Sequence, residues 1–283
     1  MNIVRTVAEL RTAIGDARRA GVRVGLVPTM GAFHDGHLSL MRRAKAASGF
    51  VVVSLFVNPT QFNEISDLAR YPRDEQRDVR MAEGAGVDLL FAPAVEEVYP
   101  DGFATTVEVS ALAEPLEGVV RGAQHFRGVA TVVTKLLNMV QPDDAYFGQK
   151  DAQQALIIRR LVLDLDLPVR VQICPTLREP DGLAMSSRNV LLDAVSRTRA
   201  VILSKALFAI EGAARDGERR ADVLLERGRA ILDAEQIVPE YLAIVDARTL
   251  APVGTVNRET LVPIAVRFGS VRLIDNVLIG GAV

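Results

Sequence analysis

With 283 residues, 49% of them hydrophobic and 24% charged, the chain reads as an ordinary globular protein, long for one core and so built as one large domain or two unequal ones. Lys+Arg 33 against Asp+Glu 35 leave a formal net charge of −2, without the basic surplus of a nucleic-acid binder, and no apolar run approaches the roughly 20 residues that cross a bilayer. The charge-bearing start MNIVRTVAELRTAIGDARRAG has no apolar signal-peptide centre, and the one cysteine, Cys174, permits no internal disulfide or multi-cysteine zinc site and reads as a buried thiol, so a cytoplasmic location with neither membrane nor nucleic-acid partner is expected.

In chain order, VRVGLV (22–27), FVVVSLFV (50–57), VDLLFAP (87–93), DAYF (144–147) and PVRVQI (168–173) read as short strands. The runs at 22–27 and 50–57 show little polar alternation, as strands buried on both faces of a parallel sheet should. Helical patterns lie between them. From about residue 37, HLSLMRRAKAA is helix-like, and Val129, Val132, Val133, Leu136, Leu137 and Val140 mark an amphipathic helix that Pro142 ends. AQQALIIRRLVLDLDLP (152–168) repeats the pattern. This alternation predicts a Rossmann-like, doubly wound α/β domain over residues 1–175. Past Pro175 comes the turn-rich PTLREPDGLAMSSRN (175–189), then two helical stretches at roughly 194–215 and 219–235, then strands at 240–247, 260–268 and 271–279. That order predicts a smaller α+β domain over 176–283, a lid domain by expectation, with its helices at 194–235 open to serving as a lid, a dimer surface or plain packing.

Two of only three histidines, His34 and His37, fall in VPTMGAFHDGHLSL (27–40), at the turn from the first predicted strand into a helix. Ligands of open parallel sheets bind at such turns. Gly31 and Gly36 admit a close backbone approach, amides at a helix start can receive phosphate oxygens, and imidazoles there add donors where pyrophosphate leaves. Two surface histidines would be the plainer reading. A zinc site would need further ligands, and Asp35 and the distant His125 do not supply them. The turn matches neither GxxxxGK[ST] nor GxGxxG.

H-x-G-H after a first strand resembles the nucleotide-binding signature of class I aminoacyl-tRNA synthetases and related nucleotidyltransferases. The longer PTMGAFHDGH is narrower and resembles the pantoate–β-alanine ligases, as do FVNPTQF (56–62), YPRD (71–74), FGQKDAQQ (147–154) and DGLAMSSRN (181–189), in order and across essentially the whole chain. The resemblance implies a two-step reaction. The pantoate carboxylate attacks the α-phosphorus of ATP, giving pantoyl adenylate and pyrophosphate; the amine of β-alanine then attacks the acyl carbon and expels AMP. It further implies Mg²⁺ with the ATP, no organic cofactor, pantoate, β-alanine and ATP as small-molecule partners, and a homodimer through the first domain.

Site residues follow from the resemblance position by position. His34 and His37 bind phosphates, with an acid-type role at His37; Lys150, Arg188, Ser186 and Ser187 complete the catalytic set. Pro28, Thr29, Met30, Gly31, Gly36, Gly148, Asp151, Leu177 and Met185 extend the ATP contacts. Gln61 and Gln154 grip the hydroxyl and carboxylate of pantoate, with Asn58, Tyr71 and Arg121 beside them and Met30 and Phe56 as an apolar wall for its gem-dimethyl group. Plainer roles stand next to several of these. Lys150 can be a solvated surface charge, Asp151 a helix cap, Ser186-Ser187 the start of a helix, and Asn58-Pro59 a simple turn. No metal-ligand cluster is recognisable; Asp78 or another carboxylate could stand near the metal. RGAQHFRG (121–128) is one residue longer than the usual Arg-Pro-Gly-His-Phe block, which leaves the register of Arg121 open and makes His125 a structural candidate; Asp35 replaces the usual glutamate or lysine. The alternative activity is an adenylyltransferase that stops at transfer of AMP to a phosphate. A tRNA-charging enzyme would need an anticodon module and a basic face, and a silent nucleotide-binding fold would not need His34, His37, Lys150 and Arg188 together.

Overall fold

The apolar runs of the first 175 residues form one parallel sheet. The structure is a computed structural model and describes residues 1–63 and 65–281. It divides into two compact units, residues 1–148 with 153–175, and residues 149–152 with 176 onward.

The first unit contains β1 (Asn2–Val4), α1 (Val7–Arg19), β2 (Val24–Thr29), α2 (Asp35–Ala47), β3 (Phe50–Leu55), α3 (Ile65–Arg70), α4 (Glu75–Gly84) and β4 (Leu89–Phe91). Short helices α5 (Val95–Val98), α6 (Ser110–Ala113) and α7 (Glu117–Arg121) lead to the long α8 (Ala123–Val140), then β5 (Asp144–Gly148), α9 (Ala152–Asp164) and β6 (Arg170–Cys174). Six strands pair in parallel in the order β1-β4-β3-β2-β5-β6. Side chains alternate between the two faces with a period of two. Val24, Leu26, Val52, Leu89, Phe91, Ala145 and Phe147 face a core made with α1, α8 and α9. Val27, Val51, Val53, Leu90 and Tyr146 face another made with α2 and α4, which also takes the Cys174 thiol. Both faces are covered, which is why the strands carry no polar alternation and why the sheet is doubly wound, Rossmann-like.

The second unit holds α10 (Ala194–Ala200), α11 (Ile202–Arg215), α12 (Ala221–Ala234), β7 (Tyr241–Leu242), β8 (Val245–Asp246), β9 (Thr260–Phe268) and β10 (Val271–Ile279). β9 pairs antiparallel with β10 on one side and with β7 and β8 on the other, and α11 and α12 cover the sheet. The unit is thus a small α+β layer pair. Two expected elements are divided. The helix expected over 194–215 breaks at Val201, whose φ of −59° and ψ of −20° stay right-handed, so the apolar period runs through the break and conceals it. The strand expected over 240–247 is split at 243–244, opposite Val262 and Pro263 of β9. A proline in a central strand has no N–H for its neighbour, and the gap between β7 and β8 is where none is required.

Candidate active site

The strand order places β2 in the middle, with β3 and β4 wound to one side and β5 and β6 to the other. Such a reversal opens a crevice beyond the carboxyl ends of the two central strands. β5 pairs with β2 only at Gly25 and Leu26, so the two strands part before Pro28, a residue with no N–H to offer β5. The turns after β2 and β3 lead from this edge and carry the histidines and Gln61, and β5 ends there before α9, whose first turn carries Gln154.

The histidine turn is held from within. Gly31 has φ +84° and Ala32 has φ +52°, a left-handed pair in which Ala32 bears the steric cost. A Cβ on Gly31 would lie 2.7 Å from Leu55 Cδ1 and 2.9 Å from Asp78 Oδ2. The Asp78 carboxylate of α4 accepts the next two amides, Ala32 N–H and Phe33 N–H, each at 2.8 Å. It is 1% exposed, and burial pushes its pKa up against the pull of those two amides. With both oxygens bonded to the turn, Asp78 is its anchor.

His34 is the N-cap of α2: its Nδ1 accepts Gly36 N–H at 3.1 Å, while Nδ1 of His37 accepts His34 N–H at 3.4 Å. A ring nitrogen that accepts an amide N–H carries no proton, which in both rings leaves the ring proton to Nε2. The rings lie 4.1 Å apart, and His37 is tilted against the buried Phe33 at 5.6 Å. The amides of Gly36 and His37 are bonded within the turn itself, to His34 Nδ1 and to His34 O at 2.8 Å. Thr29 is likewise occupied, its hydroxyl donating to Ser54 O.

Gln61 closes a 3₁₀ turn, Pro59–Gln61, after β3. Asn58 Nδ2 donates to Gln61 Oε1 at 3.0 Å and to Gly128 O at 3.2 Å, and Asn58 Oδ1 accepts from Tyr99 Oη and Thr60 Oγ1. The side chain of the buried Asn58 is thus held by partners within the protein and orients Gln61. Gln61 Nε2 points at Met30 Sδ, 3.1 Å away and a weak acceptor, and the Gln61 carbonyl accepts His125 Nδ1–H at 2.8 Å. His125 sits in the first turn of α8, a structural partner. Gln154 lies in the first turn of α9 and makes no side-chain hydrogen bond among the described residues. Its neighbour Gln153 is buried and bonds the chain at Leu112, Pro115 and Glu117. Phe56 packs in the core and meets Tyr99 at 6.2 Å; Tyr71 stacks edge-on against Phe62 at 5.7 Å. Arg121 ends α7 with its Nε on Glu117 Oε2 at 2.8 Å, and its carbonyl accepts Asn63 Nδ2. A separate cleft of about 480 Å³ beside β1 and β4 has its cation, Arg5, paired with Glu75 at 2.6 Å.

The second unit carries the cationic candidates. Lys150 and Asp151 sit in a 3₁₀ turn, Gln149–Asp151, just after Gly148, with Lys150 Nζ 3.7 Å from Asp151 Oδ1. Asp151 thus precedes α9 beside Lys150. Leu177 and Met185 are partners across a small hairpin, Met185 N–H to Leu177 O at 3.0 Å. The hairpin leads into Ser186, Ser187 and Arg188. Ser186 Oγ accepts Arg188 N–H at 3.2 Å and Ser186 O accepts Asn189 N–H at 3.0 Å, a serine turn leading into a 3₁₀ turn at Asn189–Leu191. The expectation that the serines begin a helix is corrected, since α10 starts later, capped by Asp193. Sequence reasoning missed Tyr99 and the anchoring role of Asp78, whose partners lie 41 or more residues away.

Comparisons with known proteins agree with one another. A family model described as pantoate-beta-alanine ligase matches residues 2–278. Pantothenate synthetase of Roseiflexus castenholzii is 51% identical over 280 residues, covering 99% of each chain, and that of Moorella thermoacetica is 50% identical over 280 residues, again with 99% of each covered. The crystal structure of pantothenate synthetase from Thermus thermophilus superposes with a TM-score of 0.92 at 49% identity, covering 98% of this chain and 99% of that one. A pantoate-beta-alanine ligase from Francisella tularensis, described as complexed with beta-gamma ATP and beta-alanine, gives 0.80 at 33% identity over 98% and 97%. Sequence and fold thus match the same proteins from end to end, and the chain belongs to the pantoate-beta-alanine ligase family.

Proposed function

We propose that the chain joins pantoate to β-alanine in two steps, with pantoyl adenylate between them and ATP as the source of the adenylyl group. In the first step a pantoate carboxylate oxygen bonds to the α-phosphorus and the bond to pyrophosphate breaks. In the second, the β-alanine amine bonds to the acyl carbon, AMP leaves with the bridging oxygen, and the amine loses a proton. The observation that carries the reading is the pair of imidazoles on the turn after β2, each with Nδ1 accepting a backbone amide, which leaves the ring proton to Nε2. Two imidazoles oriented in this way suit a step whose barrier lies in phosphate charge rather than in a protein nucleophile.

The other roles are assigned by chemistry. Gln61, its carbonyl oxygen held by Asn58, exchanges a weak thioether contact for a pantoate oxygen, and Gln154 offers a second amide. Met30 supplies apolar surface, and Tyr71 and Arg121 bound the same substrate. Pro28, Thr29, Gly31, Gly36 and Gly148 shape the floor for ATP. Lys150 and Arg188 supply cations, Ser186 and Ser187 hydroxyls, Asp151 a ribose contact, and Leu177 and Met185 a backbone edge. Bound Mg²⁺ would neutralise charge on the triphosphate. Among the described residues no group of three His, Cys, Asp or Glu could hold a metal, and the ion would arrive on the phosphates of ATP rather than in a protein cage. A cytoplasmic homodimer completes the reading, and sedimentation equilibrium should return twice the chain mass of 30.7 kDa.

The test is substrate omission, with pyrophosphate and AMP followed separately. Pyrophosphate should form with ATP, Mg²⁺ and pantoate alone in an amount near that of the enzyme, and AMP should be released continuously only once β-alanine is added. Pyrophosphate formed without pantoate, or no AMP with every substrate present, would overturn the reading.

A further inference from the structure

β10 is an edge strand of the second sheet, and Asn276 within it is 4% exposed. Its carboxamide is spent entirely on the turn that carries Lys150. Nδ2 donates to Gln149 O and to Lys150 O, both at 2.9 Å, and Oδ1 accepts Gln149 Nε2 at 2.9 Å. A 3₁₀ turn of three residues has little stability of its own, and these bonds fix the carbonyls on both sides of the Lys150 Cα. The side chain of Lys150 is 17% exposed, so its stem is also confined. The preceding residue, Asp275, is buried and accepts Arg178 in a two-pronged pair at 2.5 and 3.0 Å. Arg178 in turn donates to Gly182 O at 3.1 Å, inside the hairpin before Ser186. Adjacent residues of one strand thus hold both the lysine turn and the base of the serine–arginine segment.

We infer that Asn276 is a positioning residue for Lys150, fixing the backbone of the Gln149–Lys150 turn so that the ammonium is oriented before ATP arrives. The inference rests on the assignment of Lys150 to the ATP phosphates. Because Asn276 acts through Lys150, its loss should matter only while the ammonium is present.

A double-mutant cycle with Asn276→Ala, Lys150→Ala and their combination reads this directly. Asn276→Ala should lower kcat for adenylate formation roughly 10- to 100-fold, the range for a catalytic group displaced by about 1 Å, with the KM for pantoate unchanged. In the Lys150→Ala background the same substitution should cost nothing further. Full additivity, or an Asn276→Ala enzyme with normal kcat, would overturn the inference. If Asn276→Ala fails to fold by circular dichroism, Gln149→Ala, which removes only the bond to Asn276 Oδ1, carries the same cycle. A loss of roughly 3-fold that vanishes without Lys150 supports the inference, and an additive loss or none overturns it. An unimpaired Lys150→Ala enzyme would instead remove the assignment of Lys150, and this inference with it.

Discussion

At His34 the imidazole takes the place of the serine or aspartate that usually caps a helix, and the reading proposed above gives the same ring a second duty, donation from Nε2 to phosphate. The two duties can be separated. Asn caps a helix well but has no atom at the position of Nε2, so His34→Asn should keep the melting temperature within about 2 °C and lower the rate of pyrophosphate formation about 100-fold. A normal rate in calorimetrically intact His34→Asn would reduce the ring to a cap. Asp78 acts one layer back. Asp78→Ala would leave the buried Phe33 N–H without an acceptor, about 1–3 kcal/mol, free the part-buried Ala32 N–H as well, and release the left-handed Ala32. Urea unfolding should show that loss together with a raised KM for ATP; an unchanged midpoint would contradict the anchor. Both histidines were legible in the sequence because H-x-G-H is local. The amide bonds that occupy Gly36 and His37 were not, since spacing does not say which donors a turn consumes itself.

Among the elements, α8 crosses the 3₁₀ turn of Gln61 at its closest at Gly128, where a Cβ would lie 2.4 Å from Thr60 O and 2.8 Å from Gln61 N. Gly128→Ala therefore has to displace the backbone that carries Gln61. The KM for pantoate should rise roughly 10-fold or more with little change in the KM for ATP, and equal effects on both would show that the turn does not serve pantoate. At β5 the buried Asp144 is bonded by Arg170, Gln172 and Arg23. The Arg170 bonds foremost hold its pKa far below the ordinary carboxylate value, against the opposing effect of burial. A depressed folded pKa stabilises the fold above the unfolded value of about 3.9, and that contribution is lost as pH falls below it. Asp144→Asn should thus cost about 1–3 kcal/mol near neutrality and flatten the acid limb of the stability curve below about pH 4. Coincident acid limbs for the two proteins would contradict this. Strands β2, β3, β9 and β10 could be read closely from apolar runs, which record burial. The break at Val201 and the split between β7 and β8 could not, because neither interrupts the hydrophobic period.

For the whole molecule, the strand order could be anticipated only as a class: alternation of strands and helices implies a doubly wound sheet but does not say that β2 stands between β3 and β5. The crevice follows from that order, and so does the meeting of turns distant in sequence at one sheet edge. The tie between Gln149 and Asn276 spans 127 residues, and no local pattern announces it. The central claim, adenylate formation followed by amide formation, leaves an isotopic record. Pantoate labelled with ¹⁸O at both carboxylate oxygens would be turned over with unlabelled ATP and β-alanine, and the AMP analysed by mass spectrometry. One ¹⁸O in the phosphate of AMP, equal in amount to the pantothenate formed, is the result predicted, the other oxygen staying in the new amide. Unlabelled AMP, with the departing ¹⁸O recovered in pyrophosphate or water, would contradict the account, because no pantoyl adenylate would have formed.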